Sequence, residues 1–350
     1  MTIHVGGYQA LSILRGGPRT QVLQTMKGLQ RMGLDVRLFD PWTPPQFATG
    51  DIFHIFAANI GTYHLAREIH ALGMPLVVSP ITFSRHSPRF IRTALRLTRL
   101  AQKAGPGIWS DYALCADICS WAARVLPNTR AEADLVRESY EIPSERILVV
   151  PNGVDERFAH ADPSLFEKTY NTRGFILNVG HIGHTRKNVL TLIRALATID
   201  HPAVIIGRII AGPYGDACVR EAAKHKHILL IDGLDNSSDM LASAYAACDT
   251  FVLPSLFETP GIAALEAALA GAKIVITRYG GTDEYFRRHA WYIEPSSVGS
   301  IRDGILAALQ AQKTPELRNR VLENFCWEAV AEKTAVAYHE IEDELGTKNS

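Results

Sequence analysis

Two carboxylates and two cations carry the chemistry available to this chain. Glu258 and Glu266 stand eight positions apart, and Arg186 and Lys187 are adjacent a few residues beyond an apolar run. Glu266 lies in residues 262–270, otherwise mostly Ala, Leu and Ile and closed by Gly271, which predicts a buried helix holding a single acid. An unpaired buried charge costs several kcal/mol, and nothing basic lies within a helical turn of Glu266, so its partner is distant in sequence or is a ligand. Thr259 is placed to cap the helix with Pro260 at its first position. At about 1.5 Å per residue the two acids then stand roughly 12 Å apart. Between them lies a helix N-terminus built from Thr259, Pro260, Gly261 and Ile262, whose free N–H groups favour an anion and whose glycine admits one close to the backbone. A diphosphate in the middle, ribose hydroxyls at one acid and hexose hydroxyls at the other make a nucleotide-sugar. By spacing alone the pair is equally compatible with a Glu266 satisfied by backbone or an Arg, and with a solvated Glu258.

The cations point the same way. Residues 175–179 read as a strand that ends at Gly180, and the turn 181–188 carries Arg186 and Lys187 into the next helix. Ligands of open α/β sheets bind at the carboxyl ends of strands. Cations at a helix start oppose its dipole unless an anion is present, so these two are expected to neutralise the diphosphate. At the other end of the chain, a strand at 3–8 is followed by Gly16 and Gly17 and a helical pattern. That glycine turn is either a simple tight turn or a place where amides approach phosphate or acceptor.

Several runs in order carry a resemblance: Leu-Pro-Ser at 253–255, Glu258-x7-Glu266, Pro260-Gly261, the Leu-Glu-Ala-Ala-Leu-Ala-Gly helix at 265–271 and Tyr-Gly-Gly-Thr-Asp-Glu at 279–284. Together they resemble the signature of family-4 retaining glycosyltransferases of the GT-B fold. The resemblance implies an α/β chain of two Rossmann-like domains with a deep interdomain cleft. Residues 1–160 would bind the acceptor and 161–325 the donor, while 326–350 would form a helix crossing back to the N-terminal domain. It further implies that Gly16 and Gly17 face the donor's diphosphate across that cleft, that Leu234 lies beside the base, and that Glu258 grips the hexose and Glu266 the ribose. The Pro-Asn-Gly-Val-Asp run at 151–155 is similar to a family element near the domain boundary. The chain departs from the pattern where the family carries a His beside the reacting sugar. His86 is the candidate for that place, with Thr82 and Ser84 as hydroxyl neighbours; otherwise His86 is a solvated surface residue.

The βαβ alternation throughout predicts parallel sheets, and 350 residues predict two domains. Thirty-six basic against 36 acidic residues give no global field for nucleic acid. Arg85, Arg89, Arg92, Arg96, Arg99 and Lys103 fall within an arc of roughly 80° at 100° per residue. With Phe90, Ile91, Leu95, Leu97 and Leu100 on the rest of the circumference, this is a basic amphipathic helix suited to an anionic membrane surface, or a solvated face over the domain's own core. The five cysteines lack a Cys-x-x-Cys pair, and there is neither a signal pattern nor an 18-residue apolar run. A cytoplasmic protein is expected, with peripheral attachment to the inner face of the plasma membrane open to it.

No Asp-x-Asp occurs, so no metal is expected and no cofactor beyond the substrate itself, a UDP- or GDP-linked sugar. The acceptor expected is a glycan or a lipid-linked one in envelope polysaccharide assembly. An acceptor-independent sugar-nucleotide epimerase or hydrolase, and a non-catalytic nucleotide-binding partner of another transferase, are the alternatives.

Overall fold

The computed structural model describes residues 1–13, 16–44, 46–105 and 107–348. It divides into two compact units, Met1–Gly153 together with the C-terminal helix from Trp327, and Val154–Cys326. The first division falls after Gly153 rather than after residue 160. The Val154 N–H already bonds Phe325 O at 2.8 Å, and Phe158 packs in the core of the second unit.

The N-terminal unit holds five parallel strands, β1 (Thr2–Gly7), β2 (Asp35–Leu38), β3 (Ile52–Phe56), β4 (Leu76–Ser79) and β5 (Arg124–Val125), in the order β2-β1-β3-β4-β5. Alternate residues of β3 feed opposite faces, as a two-residue pleat requires. Phe53 and Ile55 pack towards the helices Ile60–Ala71 and Asp111–Trp121, and Ile52 and Phe56 towards Gly17–Arg31 and the C-terminal helix Trp327–Lys348. His54 shares that second face, its imidazole held between Tyr338 Oη at 2.7 Å and Ser79 Oγ at 3.0 Å. Arg124 reaches Glu340 and Glu344 of the same C-terminal helix. Residues 147–150, which read as a strand, make one isolated bridge among the described residues, Val125 to Ile147. Beyond it the ladder stops at Pro127, which accepts from Val150 N–H but has no N–H to return.

The helix Pro88–Ala104 carries the cationic stripe, with Ser87 as its cap, so Arg85 precedes the helix instead of lying in it. Ile91 is its buried anchor, whereas Phe90, Leu97 and Leu100 are exposed at 53%, 62% and 61%. Arg92 donates to Glu138 O and Arg99 pairs with Asp117. Among the described residues no helix is long and apolar enough to cross a membrane.

The C-terminal unit holds six parallel strands, β6 (Ile176–Val179), β7 (Ala203–Ile206), β8 (Ile228–Ile231), β9 (Thr250–Leu253), β10 (Lys273–Thr277) and β11 (Ala290–Ile293), in the order β11-β10-β9-β6-β7-β8. Phe251 and Leu253 of β9 point into one core and Val252 into the other, so both faces are covered, as parallel sheets require. The strand order reverses between β6 and β9, with β7 and β8 built outwards on one side and β10 and β11 on the other. At that switch point the two strands pair only through Ile176–Thr250 and Leu177–Phe251. The next residue, Asn178, bridges to Val252 O through its side-chain Nδ2 at 2.7 Å.

Candidate functional site

The loops that leave β6 and β9 at their carboxyl ends are stitched together at this switch point, where open α/β sheets bind ligands. Leu256 N–H bonds Arg186 O at 2.9 Å. Asn188, in left-handed backbone, donates its amide to Pro254 O at 3.1 Å and Pro295 O at 2.6 Å. These bonds fix the short turn Thr185–Lys187 and bring the predicted cations onto the predicted acid. Lys187 Nζ lies 2.5 Å from Glu258 Oε1 and Arg186 Nη1 3.3 Å from the same oxygen. Arg186 also donates to Phe257 O at 3.0 Å, with its guanidinium over the Phe257 ring.

Glu258 is buried, not solvated. Burial pushes its carboxyl upward, but Lys187 and then Arg186 more than offset this, and the group is held below the ordinary range. The loop following β10 closes over its backbone, with Glu258 N–H bonded to Tyr279 O at 3.0 Å. A Cβ on Gly280, which has φ +99°, would stand 2.1 Å from Glu258 O, so only glycine fits there.

The helix carrying Glu266 is Ile262–Leu269, two residues shorter at its start than its sequence suggests. Thr259 is not its cap and Pro260 not its first residue, because Gly261 has φ +88°, outside right-handed helical space, and the helical bonds begin with Ala264 N–H to Gly261 O. A Cβ on Gly261 would meet Leu253 Cδ2 at 2.7 Å. The backbone N–H groups of Ile262 and Ala263 are the first of this helix, and Ile262 is half-buried.

Glu266 is 4% exposed, and among the described residues its carboxylate meets neutral donors and no cation within ion-pair distance. Its Oε2 accepts from Tyr245 Oη at 2.7 Å and its Oε1 from Asn236 Nδ2 at a long 3.4 Å. Burial raises its carboxyl above the usual range, opposed by those two donors. Gly180 directly follows β6, its N–H bonded to Ile206 O at 3.0 Å, beside the Lys187 stem. Leu234 packs half-buried against the same core that holds Tyr245.

His181, His184 and Arg208 join these residues and were not singled out in the sequence. The His181 imidazole is held below its ordinary value by burial first and then by its neighbours Lys187, His184, Arg208 and Arg186. Like charges at strand ends repel one another, and the Glu258 carboxylate bonded to Lys187 and Arg186 lowers that cost. Arg208 is hidden because residues 204–211 read as one strand, whereas β7 stops at Ile206; a charge in an apolar run is the available signal.

Gly16, Gly17 and His86 belong to the N-terminal unit. Gly16 caps the helix Gly17–Arg31, which follows the loop after β1. His86 is exposed, with Nδ1 2.7 Å from Tyr112 Oη, its N–H on Ser84 Oγ and its ring 4.5 Å from that of Phe90. Thr82 N–H is taken by the buried Glu132 at 2.6 Å.

Residues 165–324 match the family model described as Glycosyl transferases group 1, and residues 51–158 that described as Glycosyltransferase Family 4. An uncharacterized glycosyltransferase of Methanocaldococcus jannaschii is 27% identical over 240 residues, 62% of this chain and 60% of that protein. The chain spans about three fifths or less of the length of the curated relatives it matches. Among solved structures, sucrose-phosphate synthase from Thermosynechococcus elongatus superposes with a TM-score of 0.73 at 16% identity, covering 97% of this chain and 98% of that one. Anabaena HepE in complex with UDP and glucose superposes with a TM-score of 0.65 at 15% identity, covering 99% and 100%. The fold is therefore GT-B, with two Rossmann-like α/β units, as its sequence implied.

Proposed function

We propose that the chain is a retaining, metal-independent glycosyltransferase that moves a hexose from a nucleoside-diphosphate sugar to a glycan or lipid-linked acceptor in envelope polysaccharide assembly. The observation that carries the reading is the clustering of Arg186, Lys187 and Glu258 at the β6–β9 switch point, with His181, His184 and Arg208 around them. The two matched family segments and the likeness to a UDP-bound structure support it.

In this reading Arg186, Lys187 and the first N–H groups of the helix Ile262–Leu269 stabilise negative charge as it grows on the departing diphosphate. The anomeric carbon–oxygen bond breaks toward an oxocarbenium-like state. The acceptor hydroxyl attacks from the leaving-group face and its proton passes to the departing phosphate oxygen, so configuration is retained. Glu258 hydrogen-bonds the hexose, Glu266 the ribose and Leu234 lies beside the base, while the Gly16–Gly17 turn serves the donor's diphosphate and His86 belongs to the acceptor side.

A thermal-shift screen of UDP, GDP and their sugars is expected to give one family that raises the melting temperature. Glu266→Ala should then raise the donor KM, and Glu258→Ala should lower kcat about a hundredfold by removing a contact strongest in the transition state. Normal donor kinetics in both variants would refute these roles.

We further propose a peripheral place at the inner face of the plasma membrane, through the helix Pro88–Ala104. Its exposed Phe90, Leu97 and Leu100 lie beside Arg89, Arg96 and Lys103, a pairing of apolar and basic groups suited to anionic lipid. The chain should float with vesicles containing anionic phosphatidylglycerol and not with neutral ones, and Leu97→Ser with Leu100→Ser should abolish flotation. Equal behaviour on both vesicle types removes the membrane from the account.

A further inference from the structure

We propose that Tyr245 is a positioning residue for the nucleotide, holding the Glu266 carboxylate so that Oε1 meets the ribose hydroxyls; this rests on the ribose reading of Glu266 above. Tyr245 is fully buried on the helix Asp239–Ala247. Its ring is packed edge-on to Phe158 at 5.5 Å and tilted against Phe251 at 5.8 Å. The phenol therefore has its place set by the core, and it donates to Glu266 Oε2 at 2.7 Å. The other oxygen is treated differently. Among the described residues Oε1 accepts only the long 3.4 Å bond from Asn236, which belongs to a loop that Arg157 braces through the carbonyls of Asn236 and Ser237.

A carboxylate has about four acceptor positions, so the loosely held oxygen keeps room for a vicinal diol. Because the tightly held one is fixed by a donor that cannot swing away, the rotamer is set before the ligand arrives and no binding energy is lost in arranging it. The same contact has an electrostatic side. Burial favours the protonated acid at 266, which would donate to one hydroxyl instead of accepting from two, and the Tyr245 hydroxyl opposes this. Tyr245 stays a donor, since burial and the neighbouring carboxylate both push its own ionisation upward. Packing alone would be served as well by a phenylalanine.

Tyr245→Phe keeps the ring and removes the donor. The full chain is titrated calorimetrically with UDP and GDP, and with the 2′,3′-dideoxy counterpart of whichever binds more tightly. The expected result is that Tyr245→Phe weakens the ribonucleotide about tenfold and the dideoxynucleotide less than twofold. Glu266→Gln should weaken the ribonucleotide at least as much with the same selectivity. Glu266→Asp, which retains the charge but withdraws it from the phenol, should reproduce the selective loss by an independent route.

The groups facing Glu266 are Tyr245, Asn236, Arg157 and Asp155, of which only Tyr245 is removed. Ribonucleotide affinity, falling as pH drops and the acid at 266 protonates, should begin to fall at a higher pH in Tyr245→Phe than in the wild type. Equal weakening of both nucleotides in Tyr245→Phe, no weakening, or an unshifted pH profile overturns the positioning role while leaving the ribose reading intact. If Glu266→Gln treats the two nucleotides alike, or the wild type binds neither diphosphate, the ribose reading falls and this role with it.

Discussion

Replacing Lys187 by Met tests whether the Lys187–Glu258 pair has energetic weight in the unliganded chain. Lys187 Nζ is 2.5 Å from Glu258 Oε1, and the two side chains are 19% and 8% exposed. Removing one partner of a buried pair costs about 3–5 kcal/mol, because the other charge is left without compensation. Here Arg186 remains 3.3 Å away, and Lys187 is partly solvated, so about 2 kcal/mol is the expected loss. For a unit of this size each kcal/mol moves the melting temperature by roughly 2–4 °C, giving a fall of about 4–8 °C in a scanning fluorescence melt at pH 7.5. Glu258→Gln should cost less, and in the double variant Lys187→Met/Glu258→Gln most of the Lys187 penalty should disappear, a coupling of about 1.5–2 kcal/mol. The pH dependence carries the sign. With its folded-state value depressed, ionised Glu258 contributes stability above the ordinary carboxylate value, and that contribution is lost as pH falls through the folded one. The penalty of Lys187→Met should therefore be largest at neutral pH and shrink in acid. Additivity of the two single variants within about 0.5 kcal/mol would refute the reasoning and reduce the pair to geometry.

Two other outcomes follow from buried contacts. His54 is held neutral, with burial lowering its value to about 3, so its contribution is complete above about pH 6.5 and declines as pH falls from there towards 3. By pH 5 this amounts to about 2 kcal/mol, and the melting temperature of His54→Gln should lose less than that of the wild type between pH 7.5 and 5. A parallel decline would assign the acid sensitivity elsewhere. Gly280→Ala meets both a left-handed φ and the Glu258 carbonyl at 2.1 Å, whereas Gly271→Ala, at φ +88°, meets nothing within 4 Å. The second should cost about 1–2 kcal/mol of backbone strain and the first clearly more, read from paired denaturant titrations; equal costs would contradict the close approach.

What the sequence revealed and concealed follows physical lines. Short apolar runs alternating with helical periodicity, as at 175–196 and 250–270, dictate parallel strands with covering helices, whereas the GT-B architecture was legible only through the family resemblance of the runs at 253–284. Arg186, Lys187 and Glu258 stood out because charge at a strand's carboxyl end has few reasons to be there. The helix start near Glu266 was misread since Thr259-Pro260 has the composition of a cap, while the deciding torsion belongs to Gly261. Tyr245 was invisible because it stands 21 residues from its partner in a helix of apolar residues and reads as core, which it also is. The helix Pro88–Ala104 shows the limit of periodicity. A pattern with apolar residues on more than one side does not say which side meets the core, and Ile91, not Phe90, Leu97 or Leu100, was chosen.

The site's position follows from one departure from sheet regularity. Were β6 and β9 paired along their whole length, their backbone groups would satisfy each other up to the carboxyl edge and the loops beyond would leave side by side. Instead the ladder ends at Leu177–Phe251 and Asn178 spends a side-chain amide on Val252 O, which keeps the carbonyl satisfied while letting the strands part. From the parted ends one loop turns back as Thr185–Lys187 and the other runs on to Gly261, and the bonds between them bring two cations and a carboxylate together where no strand intervenes. Such charges would be costly in a continuous sheet. At the switch point they have neighbours of both signs and lie at the carboxyl edge, the place where open α/β sheets take a ligand and not another strand.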